Sequence, residues 1–288
     1  MTAAVGRATG ADGRLPDASA ILPLAARENF TVASLLVGRR ARAHLTAIYG
    51  FARLVDQLGD EVDGDRSAIL DAFEDDLHRV FDGEPQHPLL QRLRRTVREC
   101  SLPREPFLRL IEANRRDQRQ STYKTLEDLV DYCTLSANPV GELVLHVFGA
   151  ATPARIALSD RVCTALQLAE HWQDVGEDFG RGRIYLPAED RRRFGVEPAD
   201  LRTASAGAPL RELLFFETGR ARRLLDEGAA LVGTLRGRAR IAVAGYVGGG
   251  RATLDAIERA GCDVLSSTPR ATRLQKARRS LETLRRGA

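Results

Sequence analysis

Gln167-Leu-Ala-Glu-His-Trp-Gln-Asp-Val-Gly-Glu-Asp178 places Gln167, Glu170, Asp174 and Asp178 at steps of three or four. On a helix, such steps stack side chains along one face. The other faces carry Leu166, Leu168, Ala169 and Trp172, so the segment reads as a helix that is mostly core with one acidic stripe. A second stretch, Ala47-Ile-Tyr-Gly-Phe-Ala-Arg-Leu-Val-Asp-Gln-Leu-Gly-Asp-Glu61, repeats the arrangement. Asp56 and Asp60 lie four apart, Arg53 and Tyr49 continue their face one and two turns earlier, and Leu45, Ile48, Phe51, Ala52 and Val55 are apolar.

Outward from these two segments, helical periodicity continues almost everywhere. The spacing predicts helices near 19–37, 40–61, 66–81, 88–100, 104–118, 125–149, 153–177, 208–235, 239–262 and 270–286. Asp63-Gly64-Asp65, the stretch from Asp82 to Pro88, Leu102-Pro103, Thr152-Pro153 and Thr268-Pro269 mark the breaks. Alternating strand patterns with turn pairs are missing. The one long irregular stretch after residue 16 runs from Phe179 to Gly207, and loops of that length tend to be functional or disordered. No repeat or linker divides the chain, so the reading is all-α and a single domain over 16–288, with a basic helical tail at 270–288 and residues 1–15 left unfolded.

Composition excludes several classes. No uncharged apolar run approaches the roughly 18 to 20 residues that a bilayer crossing needs, and no secretory signal is visible, so a cytoplasmic location is expected. Lys and Arg number 43 against 39 Asp and Glu, a near balance that makes nucleic acid an unexpected partner. Between Arg270 and Ala288, however, seven basic residues stand against Glu282 alone. A solvated helix is one explanation, and contact with an anionic lipid surface at the inner membrane face is the other. Cys100, Cys133, Cys163 and Cys262 are too scattered for a zinc site and read as reduced core thiols.

Like charges at i and i+4 repel, and the cost grows with burial unless a cation neutralises them. Hard oxygen ligands select Mg2+, with Mn2+ as the alternative, and Mg2+ characteristically binds a few carboxylates together with substrate phosphates. A metal-held diphosphate is the natural partner of the two acidic stripes, and a solvated acidic turn is the competing explanation for either alone. Arg181, Arg183 and Tyr185 follow Asp178 directly; they suit diphosphate oxygens or, alternatively, a basic surface loop. Between the stripes, Asn138-Pro139 and Gly141 interrupt an apolar helix, which either allows close approach to its backbone or forms a packing kink.

These residues resemble the squalene and phytoene synthase family, over Glu28 to Gly261. The most specific matches are QLAEHWQDVGEDFGRGRIYLP (Gln167 to Pro187) and YGFARLVDQLGDE (Tyr49 to Glu61). ENFTVA (Glu28 to Ala33), SANPVGELVLHVFG (Ser136 to Gly149) and Trp172-Gln173-Asp174 look most like the bacterial hydroxysqualene synthase group. The resemblance implies a type I isoprenoid synthase fold, a helical bundle around a central cavity. It implies Asp56, Asp60, Asp174 and Asp178 as Mg2+ ligands, with Glu170 also able to bind metal. Arg53, Arg183 and Tyr185 would then lie near the diphosphate, and Tyr132 and Gln167 would line the cavity. Tyr132 counts with the four aspartates as catalytic, and Asn29, Tyr49, Gln173 and Gly141 join the substrate-binding set. The departures are Gln57 for the second Asp of D-D-x-x-D, Glu170 for the usual Asn, Gln173 for the usual Arg, and Gly250 where condensing members commonly place a Tyr.

The implied chemistry is Mg2+-assisted loss of diphosphate from presqualene diphosphate, followed by capture of the carbocation by water to give hydroxysqualene. Phe51, Leu135, Val144 and Leu168 are expected to line an apolar cavity that excludes bulk water. In such a route a sister enzyme supplies the substrate and a flavoprotein consumes the product. NADPH is not expected: no G-x-G-x-x-G follows a strand, and Gly248-Gly249-Gly250 lies in a helical pattern. The alternatives are a head-to-head condensing enzyme (squalene, dehydrosqualene or phytoene synthase) and a non-catalytic helical assembly factor on the same fold. His44 and His146 read as packed core histidines, and His171 as core or a neighbour of the ligands. Glu112, Arg116 and Asp117 could reach the cavity mouth or form a solvated helix end.

Overall fold

Apolar residues spaced three and four apart turn one face of each long helix inward. In the computed structural model of the chain, residues 37–286 are described. The expected helix at 19–37, the expectation of an unfolded 1–15, and Asn29 lie outside them, apart from Val37. α1 (Arg39–Asp60) buries Leu45, Ile48, Phe51, Leu54, Val55 and Leu58. It packs with α2 (Arg66–Asp82), α3 (Pro88–Cys100) and α4 (Glu105–Asp117) around Phe51, whose ring lies 5.7 Å from Phe73 and 5.0 Å, edge-on, from Phe107. Asp65 caps α2 by accepting from the Ala68 amide at 3.1 Å, and Pro88 opens α3 where no donor is lost.

The larger core is built on α7 (Pro153–Gln173), which packs against α6 (Asn138–Val147), α10 (Ala208–Gly228) and α12 (Gly237–Arg259). Three glycines permit this approach. A Cβ at Gly141 would fall 2.4 Å from Ser159 Oγ, one at Gly228 2.8 Å from the Val162 backbone nitrogen, and one at Gly250 2.5 Å from Leu166 Cδ2. Thus Gly141 serves helix packing, and the space beside Gly250 is filled by leucine. α5 (Leu126–Ser136), α8 (Val175–Gly180), α9 (Ala188–Phe194), α11 (Leu231–Thr234) and α13 (Arg273–Arg286) complete the bundle. Among the described residues the only strand-like pairing is a single parallel bridge between Thr122 and Ile184. No helix among them is long and apolar enough to cross a membrane.

Four expectations need correction. The helix at 125–149 is two helices, broken at Ala137 (φ −113°) because Pro139 opens the second. The helix at 153–177 stops at Asp174 (φ −106°, ψ 18°) and restarts as α8, and the one at 208–235 ends at Gly228 before α11. The stretch 179–207 is not irregular: it holds α9 and a 3-10 turn at Pro198–Arg202. Its start is stitched to the loop before α5, with Ile184 N donating to Ser121 O at 2.8 Å and Ala188 N to Tyr123 O at 2.9 Å. Phe51, Val144 and Leu168 each belong to a different apolar cluster, and Leu135 packs against that of Leu168. The cysteines are free thiols, Cys133 and Cys262 buried, and buried His44 bonds Thr96 Oγ1 at 3.1 Å.

Candidate active site

The last turns of α1 carry Asp56 and Asp60, both exposed. Gly59 lets α4 come close: a Cβ there would meet Asn114 Oδ1 at 2.3 Å. Asn114 Nδ2 donates to Leu110 O at 3.2 Å and to Asp56 Oδ1 at 3.4 Å, while Gln118 Nε2 donates to Gly59 O at 2.9 Å. α4 therefore fixes the acidic end of α1. Asn114 and Gln118 escape a reading of the sequence because they sit in a polar run, IEANRRDQRQ, that looks like a solvated helix end. Arg53 turns toward its own helix end, giving Glu61 Oε1 an Nη2 donor at 3.0 Å, while its Nε is buried without a partner. Gln57, in place of the family's second Asp, bonds Glu61 at 3.4 Å.

On the second motif, the kink at Asp174 separates Gln167 and Glu170 on α7 from Asp178 on α8. His171, buried, stacks on Tyr185 with ring centroids 3.6 Å apart. Burial holds its pKa below the ordinary histidine value, so the ring is neutral. The Gln167 amide lies 3.1 Å from His171 Nε2 and can only donate from its nitrogen, which assigns the ring proton to Nδ1, 3.7 Å from Asp178 Oδ2. Asp174 is pushed up to about 6 by burial, and by the negative charges of Asp178 and Glu177. Glu170 is exposed, Tyr49 half-buried, and Gln173 donates to the Pro269 carbonyl.

Arg183 joins the two motifs. Its guanidinium grips Asp60 with both nitrogens, at 2.5 and 3.2 Å, from a loop whose next ring, Tyr185, stacks on His171 beside Asp178. Arg181, by contrast, is an exposed partner of Glu177. Tyr185, Tyr123 and Tyr132 form an aromatic group with centroids 5.5 to 6.1 Å apart. The Tyr132 hydroxyl donates to Asp117 Oδ2 at 2.8 Å. Burial pushes Asp117 up to about 6, against the Tyr132 hydrogen bond that favours its charged form, and its Oδ1 is buried without a partner. So Asp117 faces inward, while Glu112 and Arg116 pair with Arg119 and Asp131 at the surface. Among the described residues no three His, Cys, Asp or Glu side chains converge; the carboxylates come in pairs.

In comparison with known proteins, residues 25–278 match squalene/phytoene synthase. The chain belongs to that family. It is similar to the hydroxysqualene synthase of Zymomonas mobilis, 36% identical over 193 residues, or 65% of this chain and 64% of that protein, so the match spans just under two thirds of that relative's length. It is similar to the 15-cis-phytoene synthase of Synechococcus elongatus, 33% identical over 256 residues, covering 82% of each. Among solved structures, squalene synthase HpnC from Alicyclobacillus acidocaldarius is 47% identical with a TM-score of 0.79, covering 85% of this chain and 94% of that one. The fold is the all-α isoprenoid synthase bundle.

Proposed function

We propose that this protein converts presqualene diphosphate to hydroxysqualene, using Mg2+ and releasing diphosphate. One observation carries the reading: Arg183 binds Asp60 of the first motif from a loop whose Tyr185 stacks on His171, against Asp178 of the second. The loop thus links the first acidic edge to the second, and the guanidinium it carries is the group that suits diphosphate oxygens. The donor set is hard oxygen in pairs, which would suit Mg2+ taken up together with substrate phosphates rather than held by protein alone. Asp56, Asp60, Asp174 and Asp178 would hold it, with Glu170 alongside. Bound there, Mg2+ stabilises the charge that develops on the departing diphosphate.

The chain's own residues then have defined tasks. Arg183 exchanges Asp60 for diphosphate oxygens, so the C–O bond breaks with its electron pair leaving on diphosphate. The cyclopropylcarbinyl cation left behind rearranges against the Tyr123, Tyr132 and Tyr185 faces, whose electron density favours a cation. Water adds to the cation, forming the new C–O bond, and gives up a proton to the released diphosphate. No reductant takes part, in keeping with a route in which a sister enzyme makes the substrate and a flavoprotein reduces the product.

Purified protein with presqualene diphosphate and Mg2+, without reductant, should yield hydroxysqualene and diphosphate; recovery of untouched substrate refutes the reading. The 82% span shared with a phytoene synthase favours a second reading, head-to-head condensation. Consumption of farnesyl diphosphate supplied alone would select it. Asp174→Asn should abolish turnover, whereas an assembly factor on this scaffold would be indifferent to it.

A further inference from the structure

α13 packs on the bundle through Leu284, which meets the larger core, and through polar side chains beside it. Ser280 lies against Gly248, where a Cβ would come within 2.4 Å of the Ser280 nitrogen. Thr283, with no exposed surface, accepts from Arg251 Nη1 at 2.9 Å, and Arg279 binds Asp255 at 2.6 Å. Its outward stripe instead carries Leu274, Ala277, Arg278, Leu281 and Arg285, at steps of three and four. Leu274 is 79% exposed and Leu281 47%.

Around Leu274 and Leu281 stand Arg273, Arg278, Arg285 and Arg286, all exposed; among the described residues of the helix, Glu282 is the acid beside Arg278, at 2.9 Å.

We infer that the outer face of α13 docks on an anionic lipid bilayer, the leucines entering the interface and the arginines meeting lipid phosphates. Charge complementarity selects that occupant. Exposed leucine flanked by exposed arginine suits a surface both apolar and negative. A second copy meeting this face about a two-fold axis would set one basic helix against another. The docking is independent of the reaction proposed above.

The test is co-sedimentation of the full chain with vesicles of equal phosphatidylglycerol and phosphatidylcholine, or of phosphatidylcholine alone. The wild type should partition into the anionic vesicles at least tenfold more strongly. Leu274→Glu and Leu281→Glu should each weaken that partition about tenfold to a hundredfold, with helicity and melting temperature unchanged. Arg273→Ala and Arg285→Ala should each cost about fivefold on anionic vesicles and almost nothing on neutral ones. Failure of the wild type to sediment overturns the inference, as does retention by the well-folded glutamate variants. A dimer in gel filtration that Leu274→Glu dissolves, without vesicle binding, assigns the face to self-association and overturns it equally.

Discussion

Replacing Asp117 with Asn should stabilise the protein at neutral pH. Asp117 is mostly buried at the end of α4 and ionises near 6, chiefly because burial penalises its charge, with Asp60 and Asp56 adding repulsion. Its Tyr132 partner and Arg183 offset only part of this. A carboxyl that ionises near 6 when folded and near 4 when unfolded binds more protons in the folded state between those values. Its contribution to stability is therefore fully present below about pH 4, falls as pH rises toward 6, and is lost above. Keeping it charged at neutral pH costs about 3 kcal/mol at most. Asn keeps an acceptor for the Tyr132 hydroxyl but carries no charge, so the variant should gain about 1–3 kcal/mol at pH 7.5, and nearly nothing at pH 4. For a chain of this size that is a rise in melting temperature of roughly 3–10 °C. Thermal unfolding at pH 4, 5, 6 and 7.5, without divalent metal, reads both the size and the pH profile. A gain that is the same at every pH, or a loss at 7.5, would refute the electrostatic account. Where stability rises while turnover falls, the wild-type carboxylate is retained for the site and not for the fold.

Three further outcomes follow from the same geometry. Gly59→Ala puts a methyl 2.3 Å from Asn114 Oδ1 and should cost about 1–3 kcal/mol in urea unfolding, a penalty that should largely vanish when Asn114 is also Ala. Arg220→Ala removes the guanidinium that holds Asp190 at 2.6 Å and Glu217 at 3.0 Å, both buried, and should cost about 3–5 kcal/mol at neutral pH. The loss should stay nearly level between pH 7 and pH 5 as far as Glu217 is concerned, because burial already raises it to about 8 and it is neutral across that range. Arg183→Gln frees Asp60, so titration calorimetry should show Mg2+ alone binding about threefold to tenfold tighter while inorganic diphosphate binds more weakly; both moving the same way contradicts the exchange of Asp60 for diphosphate at Arg183.

Most helix boundaries were legible because their signals are local. Pro88, Pro153 and Asp65 act on the turn in which they stand, and the starts of α2, α3 and α7 fall where those residues place them. The first acidic stripe, Asp56 and Asp60, was legible for the same reason, since a step of four fixes a shared face before any tertiary contact forms, whereas the second is interrupted where α7 stops at Asp174. What escaped depends on distant partners. The stop at Asp174 has no proline to announce it. α9, AEDRRRF, is short and has no apolar stripe, so it reads as a loop until Glu189 is seen accepting from the Leu126 amide at 3.1 Å. Asn114 and Asp117 lie in a run of polar residues whose usual meaning is solvent; only the Gly59 contact and the Tyr132 hydroxyl turn them inward.

The same residues explain how two acidic pairs persist on apolar helices. Each carboxylate but one has its charge answered by a neighbour from another segment: Asp60 by Arg183, Asp56 by the Asn114 amide, Asp178 by the His171 Nδ1 proton. None of these neighbours is adjacent in sequence to the first motif, and two of them, His171 and Arg183, are held in place by Tyr185 and by the backbone bonds of the loop to Ser121 and Tyr123. Asp174 is the exception. Placed where α7 gives way to α8, it has only burial and like charge close by, with Arg270 and Arg181 acting weakly against them. That imbalance locates the place where an added cation changes the electrostatics most, since elsewhere it must first displace a partner the protein already supplies.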